Sequence, residues 1–132
     1  KHYARLRRWG DVHITKKPRG LPNGMAARNQ VVSGYKKAAE QRGLEFSLTD
    51  EQLDYLFKQV CCYCGSAPSQ VCTNGRNTGS FIYNGIDRID NDIGYVIDNV
   101  VSACGKCNWA KAGLTPEEFL QHVEKIQVWM SR

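Results

Sequence analysis

Cys61-Cys62-Tyr63-Cys64 and Cys104-Gly105-Lys106-Cys107 are two C-x-x-C pairs with residues 65–103 between them. Two residues between thiolates let both sulfurs turn inward from one tight knuckle to adjacent corners of a tetrahedron. Two such knuckles fill the four positions of a structural zinc site. One C-x-x-C alone would be a weak signal, because redox motifs and chance also produce it. The chain has six cysteines and no secretory pattern, so metal ligation is read ahead of disulfides or buried free thiols. Cys62 and Cys72 are left over and read as small buried or loop residues. A closed four-cysteine site has no open position for water, so this zinc is expected to be structural. Catalysis would need other residues.

Between the pairs, residues 65–80 are rich in Gly, Ser, Asn and Thr and are expected to form an exposed excursion. Phe81, Ile82 and Tyr83 then begin an extended segment reaching Ile86 and Ile89. Asn91, Asp92 and Gly94 are turn formers, and Tyr95 to Val101 is a second β-branched run, so a β-hairpin with a loop is predicted. A short helix from about Cys104 to Ala112 follows. Thr115, Pro116 and Glu118 announce a last helix through a capping box and a first-turn proline, with Phe119, Leu120, Val123, Ile126 and Met130 as its apolar stripe. Upstream, Val31, Val32, Tyr35, Ala38 and Ala39 share one face of a helix starting at Asn29 and ending at Gly43. A second helix carries Thr49 as N-cap, Gln52 at the capping-box position, and Leu53, Leu56 and Phe57 as its buried stripe. The fold class is α+β.

The length of 132 residues fits one compact domain with an appended arm: residues 1–28 as a basic arm and 29–132 as the zinc-stapled domain. Lys1, Arg5, Arg7, Arg8, Lys16, Lys17, Arg19 and Arg28 stand against Asp11 alone in the first thirty residues, while the whole chain is only +5. A basic segment on a slightly acidic body is an electrostatic footprint for a polyanion, although a merely solvated tail has the same composition. Arg5, Arg7, Arg8, Lys16, Lys17 and Arg19 are the expected DNA contacts there, with Tyr3 and Trp9 able to stack or to anchor the arm. No apolar run approaches the roughly 20 residues of a membrane-spanning helix. The first residue is Lys1 rather than Met, so further chain is expected upstream.

Gly85-Ile-Asp-Arg-Ile-Asp-Asn-Asp-Ile-Gly-Tyr95, Asp98-Asn99-Val100 and Cys107-Asn108-Trp109-Ala110-Lys111 gather Asp, Asn and Arg at a strand end, across a turn and on a helix. Asp and Asn oxygens suit a hard ion such as Mg²⁺, and the guanidinium fork suits phosphate. Asp90, Asn91 and Asp92 read as turn residues.

Together these segments resemble the HNH, or ββα-metal, nucleases, particularly the subgroup reading D-R-x-D…G-Y…N…C-x-x-C-N-x-x-K. The likeness covers roughly residues 61–119. It implies a ββα-metal core, structural Zn²⁺, catalytic Mg²⁺ or Mn²⁺, and hydrolysis of phosphodiesters in double-stranded DNA. The setting it implies is intracellular, in the cytoplasm of a bacterial or phage-infected cell. Asp87 matches the strand-end metal ligand, Asn108 the second ligand, Asn99 the side chain that orients the loop, and Lys111 a basic residue that reaches phosphate. Arg88 stands where the family has its general-base histidine. Arginine cannot take a proton from water, but it can hold the transition-state phosphate. The resemblance points to Tyr63 as the base, which would need a nearby cation or Arg88 to lower its pKa. His13 and His122 lie far from the motif, and water activated by the metal without a protein base is a further alternative. The missing histidine also leaves open a non-catalytic, zinc-dependent nucleic-acid-binding module. Restriction, homing and packaging roles all fit, as do a nicking monomer and a homodimer.

Overall fold

The computed structural model describes residues 23–74 and 79–132. Two helices open this part: α1 over Met25–Gln41 and α2 over Asp50–Lys58. α1 starts four residues before the expected Asn29, because Gly24 supplies the left-handed turn (φ 85°) that enters it. A Cβ on Gly24 would sit 2.4 Å from the Ser80 carbonyl oxygen, so only glycine fits. The chain leaves α1 through Arg42 and turns at Gly43. α2 has the expected capping box: Thr49 N–H donates to the Gln52 side chain at 2.9 Å, and Gln52 N–H donates to the Thr49 hydroxyl at 3.2 Å. Arg28, one of the cations counted in the basic segment, is buried in α1. Its Nε donates to Asp54 Oδ1 at 2.9 Å and its Nη2 to Asp50 Oδ1 at 3.0 Å, tying α1 to the acidic first turn of α2.

Four short strands make two antiparallel pairs: β1 (Gln70–Thr73) with β2 (Ser80–Tyr83), and β3 (Gly85–Arg88) with β4 (Val100–Ala103). In the second pair Asp87 lies opposite Val101 and Arg88 opposite Val100, which is the predicted hairpin. β1 falls inside the segment expected to be an exposed excursion. It exposes Val71 and half-buries Cys72, so its strand character comes from pairing with β2 rather than from a buried apolar run. The single extended segment expected from Phe81 to Ile89 is also broken. Asn84 is fully buried, and its amide donates to the carbonyls of Gln59 at 2.8 Å and Ser66 at 3.1 Å, turning the chain from one pair into the other.

A 3₁₀ turn at Ile97–Asn99 leads into β4, and α3 (Gly105–Lys111) and α4 (Pro116–Met130) complete the chain. α4 has its predicted capping box of Thr115 and Glu118, with Pro116 in the first turn. The core gathers Val32 and Ala39 of α1, Leu53, Leu56 and Phe57 of α2, Leu48, Ile86, Tyr95 and Val100. Full burial of each large side chain here contributes about 1.5–3 kcal/mol. Gly94 lets the hairpin loop cross the strand-like segment before α2, since a Cβ there would meet the Glu45 carbonyl oxygen at 2.2 Å. The crossing docks Tyr95 beside Phe46, and thereby fixes the loop that follows β3.

Candidate active site

Geometry starts at the first cysteine knuckle, which follows α2. Gly65 N–H donates to the Cys61 carbonyl at 2.9 Å, closing the turn, and Cys62 N–H donates to the Ser102 carbonyl of β4, also at 2.9 Å. The second knuckle is the start of α3, where Cys104 is the N-cap and its Sγ accepts from Cys107 N–H. The four sulfurs of Cys61, Cys64, Cys104 and Cys107 lie within 4.8 Å of one another, and Cys64 and Cys104 are 3.7 Å apart. Zinc–sulfur bonds of about 2.3 Å put tetrahedral sulfurs about 3.8 Å apart, so the cluster fits a metal such as zinc. A hydrogen bond from Ser66 brings the Cys64 thiol down to about 6, while burial pushes Cys61 and Cys107 up. Cys62 is buried outside the cluster, and Cys72 lies on β1.

Because the knuckles bracket the hairpin, they fix what stands beside it. Asp87 is on β3 and only 5% exposed. Tyr63, inside the first knuckle, donates from Oη to Asp87 Oδ2 at 2.7 Å. Its ring packs edge-on against Phe119 at 5.3 Å. From α3, Lys111 Nζ donates to Asp87 Oδ1 at 3.3 Å and to the Arg88 carbonyl at 3.2 Å, and Lys111 is fully buried. Burial raises the Asp87 carboxyl despite the stabilising contacts of Tyr63, Lys111 and Arg88. Burial, and next the negative charge of Asp87, push the Tyr63 phenol well above its usual value, so it holds its proton here.

Arg88 is also buried. Its Nη1 donates to the carbonyls of Asn91 and Ile93, and its guanidinium lies over the Tyr95 ring at 5.5 Å. Asn99 fastens the same loop. Its Oδ1 accepts from Asp90 N–H at 2.9 Å, and its Nδ2 donates to the carbonyls of Asp90, Ile93 and Gly94 at 3.0–3.1 Å. Asp90 and Asn91 are thus loop residues: Asp90 Oδ1 accepts from Asp92 N–H, and Asn91 reaches the Gly113 carbonyl.

A cleft of about 940 Å³ opens over this arrangement, lined by Asp87, Arg88 and Asn108 together with Arg42, Tyr95 and Trp109. The structure therefore brings Asp87, Arg88 and Asn108 to one surface, with Tyr63 and Lys111 holding the Asp87 carboxylate. Asn99 shapes the loop from beneath. His122 sits on exposed α4, while His13 and the basic residues Arg5, Arg7, Arg8, Lys16, Lys17 and Arg19 lie outside the described residues. Sequence reasoning missed Trp109 and Arg42. Trp109 is 86% exposed beside Asn108, and an exposed tryptophan within a chemical motif is a readable signal. Arg42 follows α1 with no motif around it, and only the fold brings it to the cleft.

Among solved structures the chain is similar to the rare-cutting HNH restriction endonuclease PacI. The TM-score is 0.55 at 22% identity, over 90% of this chain and 98% of that one. The fold is HNH-like. In sequence the chain is 41% identical over 86 residues to uncharacterized protein R423 of Acanthamoeba polyphaga mimivirus. That stretch is 65% of this chain, and the chain spans about 14% of the relative's length. No family model matches. Among the described residues no helix is long and apolar enough to cross a membrane.

Proposed function

We propose that the chain is a metal-dependent DNA endonuclease of the ββα-metal type, in the D-R-x-D subgroup. In this reading β3, β4 and α3 are the ββα core, and residues 1–28 are a basic arm that holds duplex DNA. One observation carries it: Asp87 and Asn108, from a strand and from the helix behind the cysteine knuckle, line the same cleft. The oxygen donors and the burial of Asp87 fit Mg²⁺ or Mn²⁺. When bound there, the ion would supply Lewis-acid stabilisation of the charge that develops on the phosphate and on its leaving oxygen.

The chain's own residues do the rest. Lys111 and Tyr63 fix both oxygens of Asp87. Asn99 holds the Ile93 carbonyl, one of the two that hold Arg88, so the guanidinium reaches the cleft at a fixed place, suited to a phosphate oxygen. Trp109 and Arg42 flank the scissile position with a stacking face and a cation. Tyr63 stays in the site as the residue nearest the metal ligand. To act as base it would first have to lose the proton it gives to Asp87, and a cation on that carboxylate removes one of the two main causes that hold the proton.

The reading is tested by incubating the protein with supercoiled plasmid and Mg²⁺ or Mn²⁺. Nicked or linear DNA is expected from the wild type and none from Asn108→Ala, with zinc content unchanged. Asn108→Ala is the cleaner knockout, because changing Asp87 strands the buried Lys111. Full activity in Asn108→Ala removes the proposed site.

A second reading is a zinc-dependent nucleic-acid-binding module without cleavage. It is favoured by Arg88 being engaged with loop carbonyls and by Tyr63 holding its proton. DNA binding without cleavage under every divalent ion would select it.

A further inference from the structure

α4 leaves the body of the protein after its first turn. Pro116 and Phe119 are buried, and every residue from Leu120 to Met130 is exposed. A single helix of this length is marginal in water, and helices in proteins are held mainly by packing an apolar face. Such a face is present. Phe119, Val123, Ile126 and Met130 follow one another at steps of four, three and four, the spacing of a coiled-coil seam. Leu120 and Trp129 flank it. Exposure runs from 42% at Leu120, 44% at Val123 and 50% at Ile126 to 62% at Trp129 and 74% at Met130. The charges sit elsewhere: at 100° per residue, Glu117, Glu118 and Glu124 all fall more than a right angle from the seam.

We propose that this face is an interface with a second copy of the same chain, two α4 helices packing antiparallel about a two-fold axis. In that arrangement Val123 meets the partner's Ile126, a contact that occurs twice as a two-fold requires, while Phe119 stays packed on Tyr63 of its own chain and roots the helix. The acidic first turn of one helix comes level with the partner's Arg132, and opposed helix dipoles favour the same orientation. A parallel pair would stack the acidic turns on each other. With Leu120 and Trp129 closing in from either side of the seam, the exposed apolar surface of two copies approaches the roughly 1,000 Å² at which a specific interface begins. The seam carries no carboxylate, so it holds no charge that would attract the basic N-terminal segment in place of a second copy.

The test is the solution mass of the zinc-loaded chain by light scattering or sedimentation across about 1–100 µM, a range that brackets micromolar affinity. The expected mass is twice 14.9 kDa. Ile126→Glu should return it to one chain with zinc content retained. Val128→Glu, on the opposite side of α4 and already 66% exposed, should leave the dimer intact. A wild type that is monomeric throughout, its face covered by residues 1–22 or by another protein, overturns the proposal. So does a dimer that survives Ile126→Glu. Because the readout is mass and not nicking, the outcome is independent of the nuclease reading.

Discussion

Lys111→Met is predicted to destabilise the fold strongly, although Lys111 was expected from sequence to face phosphate. The side chain is 0% exposed and its partner Asp87 5%, so the discount that makes surface ion pairs nearly worthless does not apply. Methionine keeps the unbranched stem and removes only the ammonium. Asp87 is then left as a buried carboxylate with Tyr63 as its remaining hydrogen-bond donor among these contacts. Losing one partner of a buried pair costs about 3–5 kcal/mol. Asp87→Asn strands the ammonium instead and should cost a similar amount. The double variant removes both charges and should recover most of the loss, giving a coupling energy of at least about 2 kcal/mol.

Urea unfolding of the four zinc-loaded proteins measures this. The sign of the pH dependence is also fixed. Burial holds the folded-state pKa of Asp87 above its unfolded value, so the folded form binds that proton more tightly. The associated stabilisation is complete below the unfolded pKa and is lost as pH rises through the folded one. Removing Lys111 raises the folded pKa further. The penalty of Lys111→Met, taken as a difference from wild type, should therefore shrink as pH falls from about 7.5 toward 5. A cost below about 1 kcal/mol at neutral pH, or single-variant losses that simply add, would refute the buried-pair argument.

Removing the tetrad metal with a strong chelator should abolish the cooperative thermal transition, since a structural zinc contributes on the order of 10 kcal/mol or more of folding free energy. Circular dichroism with elemental analysis reads it, and native-like melting in a metal-free sample would contradict it. Asn99→Ala deletes four hydrogen bonds within the loop after β3 and should cost about 2–4 kcal/mol in urea unfolding. It should also release Arg88, which shares the Ile93 carbonyl. Trp109→Ala should leave stability within about 0.5 kcal/mol, because the side chain is 86% exposed. If the cleft takes DNA, the same change should weaken duplex binding in a fluorescence titration by about 1–3 kcal/mol, the worth of one base–aromatic stack. Unchanged affinity would remove Trp109 from the interface.

What was legible in sequence depends on how local the cause is. Thr49 with Gln52 and Thr115 with Glu118 announce helix starts because a capping box closes within four residues. The cysteine pairs announce a candidate metal site because two sulfurs with two residues between them can share one ion. β1 could not be read that way, since Val71 faces out and only pairing with β2, with Ile82 opposite Val71, makes a strand. Asn84 looked like one more residue of an extended run, yet its amide is what ends the run. Lys111 was expected, from the resemblance, to reach phosphate, whereas it is fully buried on Asp87. Its spacing from Cys107, one helical turn, already placed it on the face turned toward the metal and β3. The cleft residue Arg42 had no local signal of any kind.

The cysteine cluster and the proposed catalytic residues are interleaved too closely to be separate features. Tyr63 sits between two metal-site cysteines, and Asn108 directly follows a third. Lys111 lies one turn further along the helix that Cys104 caps. Closing the tetrad therefore brings the Tyr63 hydroxyl and the Lys111 ammonium to opposite oxygens of Asp87, and it sets Asn108 into the cleft beside that carboxylate. The hairpin supplies only Asp87, Arg88 and the Asn99-fastened loop. A weak cluster ligand should consequently harm the site before it harms the core. Cys64, the exposed cysteine of the four, is the place to look, because Phe57, Leu56 and Val100 pack well away from it in a cluster of their own. With three cysteines left to hold the ion, Cys64→Ser should weaken metal affinity and lower DNA cleavage at zinc concentrations where the cluster is still occupied and the core still melts cooperatively. Cleavage that outlasts the metal would mean that Asp87 and Asn108 are positioned by the hairpin alone.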